Sequence, residues 1–209
     1  MRSEKMLELW LIRHGETDWN REGRVQGRSD NALNDRGRAQ ARALGARLAA
    51  TAFDRVYASD LSRAVETARL VFPGRAPELD ARLREMAGGV LEGKTVAEMS
   101  ESELRVRELR GSGRVDVRPE GGESYEDVMV RVRDWLGELP GQGRVACVTH
   151  GGVIHTVLKV AFGHVAGAPG GPTILIANAS VSVVRLGAWT VVERVNDHAH
   201  LEALTLAPR

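Results

Sequence analysis

Apolar and polar positions along the chain fall into two alternating rhythms. Leu7 to Ile12 is an apolar run broken only by Glu8, the pattern of a mostly buried parallel strand. Arg55 to Ala58 predicts a second short strand and Arg144 to Thr149 another buried one. Val181 to Leu186 and Thr190 to Val195 predict two more, joined at Gly187-Ala188. Between these runs the period becomes helical. From about Asp35 to Ala50, Ala41, Leu44 and Leu48 share one face and the arginines largely take the other. Ser59-Asp60 offers N-cap side chains to a helix from about Leu61 to Phe72, which Pro73-Gly74 ends. Ser124-x-x-Asp127 opens the clearest helix, carrying Tyr125, Val128, Met129, Val132, Trp135, Leu136 and Leu139 at helical spacing until Pro140-Gly141. His150-Gly151-Gly152 turns the chain into a helix from about Val153 to Phe162. Lys94 to Arg110 reads as a charged helix with a weak apolar face, and Glu78 to Leu83 as either strand or extended loop. Glu22 to Asp35, Gly111 to Gly122 and a Gly-, Ala- and Pro-rich stretch ending near Pro172 read as loops.

Alternating strands and helices predict a three-layer α/β/α fold: a mostly parallel sheet, helices on both faces, and a small helical lid-like insertion at about 93–122. A chain of 209 residues with 43% hydrophobic content fits one domain spanning 1–209. In such sheets the ligand sits beyond the carboxyl ends of the strands. That places Arg13-His14-Gly15, Ser59 to Arg63 and Thr149-His150-Gly151 together, although none is close to another in sequence.

Charge and composition narrow the partners. A formal net charge of +1, with no polybasic or acidic tail, gives no whole-chain footprint for nucleic acid. The single cysteine, Cys147, rules out an internal disulfide framework and fits a reducing compartment. The N-terminal stretch has a short apolar core containing Glu8 and running into Arg13, unlike a signal peptide. No stretch approaches the roughly 20 apolar residues of a spanning helix. These features predict a soluble cytoplasmic protein with neither a membrane nor a nucleic-acid partner. An edge strand leaves room for a homodimer.

The three converging segments suggest chemistry. Two guanidiniums and free helix N-termini suit an anion, and arginine grips phosphate oxygens in a fixed fork. A phosphate monoester is the economical ligand. Neutral imidazole is a competent nucleophile toward phosphorus, giving a phosphohistidine that water then hydrolyses or that is passed on. The departing alkoxide needs an acid, and LREMAGGVLEG supplies Glu85, with Glu92 in reserve.

RHGETDWN, SDLSRAVETA, LREMAGGVLEGKT and VTHGGVIH, in that order, resemble the histidine phosphatase superfamily. That family includes cofactor-dependent phosphoglycerate mutases, fructose-2,6-bisphosphatases and broad-specificity phosphatases. The resemblance runs from about Leu7 to the last strand, with an echo in Asn196 to Leu201. It implies that His14 is the phosphorylated nucleophile, and that Arg13, Arg63 and a protonated His150 surround the transferring phosphoryl group. Glu85 is then the proton donor and afterwards the base. Asn20 and the Gly151 N–H resemble family phosphate contacts, and Thr17 and Gln26 are further pocket members. The cations do a metal's work, so neither metal nor cofactor is expected.

Other features have plainer readings. His155 is expected to be packed, Cys147 to be inert core, and His198 and His200 to serve structure or the pocket rim. Gly111-Ser-Gly113 and Gly141-Gln-Gly143 match no nucleotide fingerprint. Within the family, mutases typically carry a longer insertion than Gly93 to Thr149, which implies a water-accessible site. The expected function is therefore metal-independent hydrolysis of small phosphate monoesters, resembling the broad-specificity branch. The alternatives are a phosphoglycerate mutase, a specific phosphatase such as one acting on α-ribazole phosphate, or a non-catalytic phospho-ligand module. Arg105, Arg107, Arg110, Arg114 and Arg118 stand either as a second-anion site or as a solvated face, and Met86, Val90, Leu91 and Met99 as a lining for a less charged leaving group.

Overall fold

The computed structural model describes residues 6–163 and 174–205. The elements are β1 (Leu7–Arg13), α1 (Asp18–Glu22), α2 (Asp35–Leu48), β2 (Arg55–Ala58), α3 (Ser62–Val71) and β3 (Glu78–Leu79). They continue with α4 (Glu101–Gly111), α5 (Tyr125–Gly137), β4 (Gly143–Thr149), α6 (Gly151–Ala161), β5 (Val181–Leu186), β6 (Thr190–Asp197) and α7 (Glu202–Thr205). One sheet of six strands runs β3-β2-β4-β1-β5-β6. The first four are mutually parallel, and β5 and β6 add an antiparallel edge. The mostly parallel α/β/α architecture expected from the sequence is present.

The strand period of two sorts side chains onto the two faces. Leu9 and Leu11 of β1, with Val145 and Cys147 of β4, meet Val128, Val132 and Trp135 of α5 and Ile154 and Leu158 of α6. Ile12, Ala146 and Val148 point the other way, onto Ala41 and Leu44 of α2 and Ala64 and Ala68 of α3. Parallel strands buried on both faces have no polar side to display, so their sequence is continuously apolar.

Several local expectations are corrected. A short helix, Asp18–Glu22, stands before the Glu22 to Asp35 loop, in a stretch to which no element was assigned; Thr17 caps it, in a reciprocal box with Asn20. Glu78 to Leu83 resolves into a two-residue edge strand followed by a 3-10 turn, Ala81–Leu83, capped by Asp80. The charged segment from Lys94 becomes regular helix only at Glu101, after a 3-10 turn at Val96–Glu98. The Ser59-Asp60 cap does not form. The Ser62 amide is met instead by the Asp30 carboxylate at 2.8 Å, from a distant loop. The loop expected to reach Pro172 lies outside the described residues from 164 onward. Among the described residues, no helix is long and apolar enough to cross a membrane.

Trp135 is the largest fully buried side chain, stacked edge-on against Tyr57 with ring centroids 5.7 Å apart. Its indole nitrogen has no hydrogen-bond partner, so the side chain acts as pure volume. Trp135→Ala is expected to cost about 3–5 kcal/mol in urea unfolding, and Trp135→Phe less than half of that. Equal losses would show that the indole nitrogen, not the volume, matters.

Candidate active site

Register builds the site. Arg13 pairs with Thr149 and Ala58 with Val148, so β1, β4 and β2 end at one level. The His14 amide donates to the Thr149 carbonyl at 2.9 Å, and the Ser59 amide to Val148 at 2.9 Å. The residues after each strand therefore emerge side by side. The His14 and His150 ring centroids lie 5.1 Å apart.

His14 is 2% exposed, and its Nδ1 donates to the Gly15 carbonyl at 2.7 Å. A carbonyl accepts only, so the proton sits on Nδ1 and the Nε2 lone pair is free. Burial, then Arg13 and Arg63, hold this imidazole well below the usual histidine range. His150 is fully buried just before α6, and its Nε2 meets the Ser59 hydroxyl at 2.8 Å. Burial, then Arg63, His14 and Arg13, push it down as well. This corrects the protonated His150 of the sequence reading: beside two guanidiniums in a buried site, the neutral ring is favoured.

The two arginines are held by carbonyls, not carboxylates. Arg63, on the first turn of α3, donates to Ser29 O and Gly27 O, each at 2.8 Å. Arg13 donates through Nη1 to the Ile176 carbonyl. Arg13 Nε, Arg63 Nε and His150 Nδ1 are buried with no protein hydrogen-bond partner. An unsatisfied buried polar group costs about 1–3 kcal/mol. Three of them beside the His14 ring could meet the oxygens of a phosphoryl group.

Glu85 is brought into this group, half-buried. Its carboxylate accepts the Met86 amide at 2.8 Å and the Gly152 amide at 3.1 Å. A Cβ on Gly152 would lie 2.4 Å from Glu85 Oε1, so only glycine admits the contact. The segment is pinned on both sides: Thr149 Oγ1 donates to Leu83 O at 2.7 Å, and Arg84 forks onto Asp60 at 2.7 and 2.6 Å.

Glu92, the reserve donor, is used otherwise. It accepts from Arg28 N and Gly88 N at 2.9 Å, Ser29 N at 3.0 Å and Ser29 Oγ at 2.6 Å. Burial alone would raise its pKa, but the bonds from Ser29, Arg28 and Gly88 bring it below the usual carboxylate value. It clamps the loop whose carbonyls hold Arg63. Gly27, at φ +52°, makes the tight turn around it.

Thr17 and Gln26 are buried, and Thr17 Oγ1 donates to Gln26 Oε1 at 2.9 Å. Asn20 Oδ1 accepts from Thr17 N at 3.2 Å and from Asn178 Nδ2 at 3.1 Å. Asn178 also donates to the His14 carbonyl at 3.1 Å, tying this wall to the nucleophile. Gly151 opens α6 beside Arg13. Ser59 fell in a segment expected at the site, but its bond to His150 was not foreseen, nor was Asn178. Ser59 followed the expected strand end and was read as a cap, and nothing in the sequence marks Asn178. His155 is buried against Tyr125, as expected of a packed histidine. His198 Nδ1 bonds to Asn196 O at 2.7 Å and His200 Nδ1 to Arg47 Nη1 at 3.2 Å, contacts of the structural kind expected of them. Cys147 is buried in β4. Among the described residues, no group of three or more His, Cys, Asp or Glu side chains is arranged to hold a metal ion.

The lid arginines divide. Arg105, Arg114 and Arg118 pair on the surface with Glu108, Asp116 and Asp127. Arg107 and Arg110 line a cavity of about 350 Å³ together with Tyr125, His155 and Lys159. Of the four apolar residues expected to line a pocket, Leu91 does so; Met86 and Met99 are buried and Val90 is exposed. The lining mixes three cations with Val25, Leu91 and Tyr125.

Residues 9–198 match the histidine phosphatase superfamily, branch 1. The chain belongs to that superfamily. It is 35% identical to a protein of Enterobacter sp. (strain 638) named "Probable phosphoglycerate mutase GpmB", over 96% of this chain and 98% of that protein. YhfR of Bacillus stearothermophilus superposes with a TM-score of 0.82 at 32% identity, covering 94% of this chain and all of that one. A mycobacterial glucosyl-3-phosphoglycerate phosphatase, solved with VO3, gives 0.79 at 29% identity, covering 91% and 98%. The superfamily thus contains both phosphatases and mutases, and this chain is similar to proteins carrying either name.

Two outcomes follow from the electrostatics. Glu92→Gln puts an amide N–H₂ among amide donors, and should lower stability by about 1–3 kcal/mol in urea and weaken inhibition by inorganic phosphate. Unchanged stability would remove the clamp. The depressed histidines fix a pH trend. Their folded values lie below the ordinary 6.5, so on acidification the unfolded chain takes up protons first. Their stabilising contribution is complete above that pH and falls by up to about 1.4 kcal/mol per pH unit per ring as pH drops toward the folded values. Urea unfolding between about pH 7.5 and about pH 5.5 should show this slope, and His14→Asn/His150→Asn should flatten it.

Proposed function

We propose that the protein hydrolyses small phosphate monoesters through a phosphohistidine on His14. The observation that carries this reading is the buried, neutral His14, its Nδ1 engaged by Gly15 and its Nε2 free among three unpartnered polar atoms. The Nε2 lone pair attacks phosphorus in line with the ester oxygen. The P–O bond breaks, and Glu85, as the carboxylic acid, gives its proton to the departing alkoxide. Arg13 and Arg63 receive the charge spread over the equatorial oxygens, already oriented and at no reorganisation cost. With the Ser59 hydroxyl donating to His150 Nε2, the neutral ring carries its proton on Nδ1 and offers it to the same oxygens. In the second step the Glu85 carboxylate takes a proton from water. The hydroxide oxygen bonds to phosphorus as the P–N bond breaks, and orthophosphate leaves.

Transfer back to an alcohol in place of water gives a mutase. Insertion length does not separate the two readings, because a relative named as a mutase covers nearly the same length. The cations of that lining keep the mutase as a second reading, since a mutase must hold a second anionic group while the phosphoryl moves. We favour hydrolysis because Glu85, half-buried at the edge of the site, can be reached by water.

The deciding assay measures phosphate release from an aryl phosphate, a nucleoside monophosphate, 3-phosphoglycerate and 2,3-bisphosphoglycerate, with phosphoglycerate interconversion followed in parallel. Release without interconversion is expected, and interconversion with little release would replace the hydrolase reading. His14→Ala should abolish both turnover and an acid-labile phosphoenzyme. Glu85→Gln should slow kcat by about 10²–10⁴-fold, most for poor leaving groups. If Glu92→Gln does so instead, the acid is misassigned.

A further inference from the structure

Two buried polar side chains, Gln40 and Thr67, stand on otherwise apolar helix faces, and the phosphoryl chemistry described above uses neither. Gln40 shares the buried stripe of α2 with Ala41 and Leu44, and Thr67 that of α3 with Ala64 and Val71. At helical spacing both positions call for an apolar residue. A buried amide or hydroxyl is unfavourable there unless it is hydrogen-bonded, so the partners of these two side chains show what they are for.

Both partners are backbone amides flanking the residue after the nucleophile. The Gly15 amide donates to Thr67 Oγ1 at 3.0 Å, and the Glu16 amide to Gln40 Oε1 at 2.9 Å. Thr67 Oγ1 donates its own hydrogen to Arg63 O at 2.6 Å, which turns a lone pair toward Gly15. Position 15 must be glycine for a packing reason, since a Cβ there would lie 2.4 Å from Gly37 O of α2. Glycine, however, leaves its backbone free to rotate. The Gly15–Glu16 peptide carries both the carbonyl that accepts from His14 Nδ1 and the amide that Gln40 holds. Turning that peptide over would present the Glu16 N–H to Nδ1. An N–H only donates, so the imidazole proton would have to sit on Nε2, and the lone pair that attacks phosphorus would be lost. Asn178 Nδ2 reaches the same Gly15 oxygen at 3.3 Å and adds to the restraint.

Resting on the phosphatase reading, we infer that Gln40 and Thr67 are positioning residues that keep His14 in its nucleophilic tautomer. They act through the Gly15 backbone and not on the substrate. Thr67 fixes the amide before the Gly15 α-carbon, and Gln40 fixes the amide after it. The helices that pack the Ile12 face of the sheet thereby also select which ring nitrogen of His14 reacts.

Nitrogen-15-labelled histidine tests this, because a ring nitrogen resonates differently when protonated and when bare. The His14 signals are those lost in His14→Ala. In the wild-type protein at neutral pH, Nδ1 should carry the proton and Nε2 should be bare. Gln40→Met and Thr67→Val remove the acceptors at similar volume. Each should place the proton on Nε2 in a fraction of molecules, and kcat on an aryl phosphate should fall in proportion, by about tenfold or more in the double variant. Inhibition by inorganic phosphate should weaken by less than about threefold, because Arg13, Arg63 and His150 are unchanged. Thr67→Ser restores the acceptor and should restore both the wild-type ring pattern and kcat. A wild-type His14 protonated on Nε2 overturns the assignment, and that measurement needs no variant. So does a loss of kcat in folded variants whose ring pattern is unchanged, or no change of either in both variants. If the wild-type protein releases no phosphate, the phosphatase reading falls alone, because the ring pattern is read without turnover.

Discussion

The amide of His14 donates to the carbonyl of Thr149, and much of the molecule is organised by that single backbone hydrogen bond. It is the last rung of the parallel β1–β4 ladder. It sets His14 and His150 at the same height above the sheet, so neither ring has to be reached by a flexible loop. A one-residue slip would turn every side chain of β1 to the other face, putting Leu9 and Leu11 where Trp10 and Ile12 now lie. Catalytic geometry and core packing are thus one constraint. The register that buries leucines against α5 and α6 also aligns the two histidines.

Around that frame the protein keeps its positive charge unspent. Most arginines on the surface are answered by carboxylates. Arg13 and Arg63 are answered by carbonyl oxygens, which orient a guanidinium without cancelling its charge. Glu92 contributes by organising the loop that bears those carbonyls and does not touch the cation itself. Burial first, and the field left over after it, hold both imidazoles well below the usual histidine range in the free protein. That field is also what a phosphoryl dianion would enter. Thr67 joins the halves: its hydroxyl accepts the Gly15 amide at 3.0 Å and donates to Arg63 O at 2.6 Å.

Much of this was legible in the chain itself, for identifiable reasons. The apolar runs at Leu7 to Ile12 and Arg144 to Thr149 can only be strands buried on both faces, and each ends in a histidine. Strand ends converge in a parallel sheet, so Arg13, His14, Arg63 and His150 could be grouped before any coordinates. Residues whose role depends on a distant partner were not legible. Ser59 looks like a cap because capping is local, whereas its bond to His150 spans 91 residues. Glu85 and Glu92 are indistinguishable by spacing, and tertiary hydrogen bonds separate them. The arginines of the insertion are alike in sequence, but α4 buries none of its residues and offers no apolar stripe to fix its rotation. Lys159 lay within an apolar helix and drew no notice.

That absence of buried residues in α4 has an evolutionary consequence. A helix that adds nothing to the hydrophobic core can change its composition with little penalty to folding. The residues proposed to grip and cleave phosphate sit at strand ends and beside the apolar interior, where drift disturbs the core. One wall of the cavity beside α6 is partly built from α4. A lineage can therefore rewrite that wall by changing one surface helix, leaving the strand ends and the core as they were.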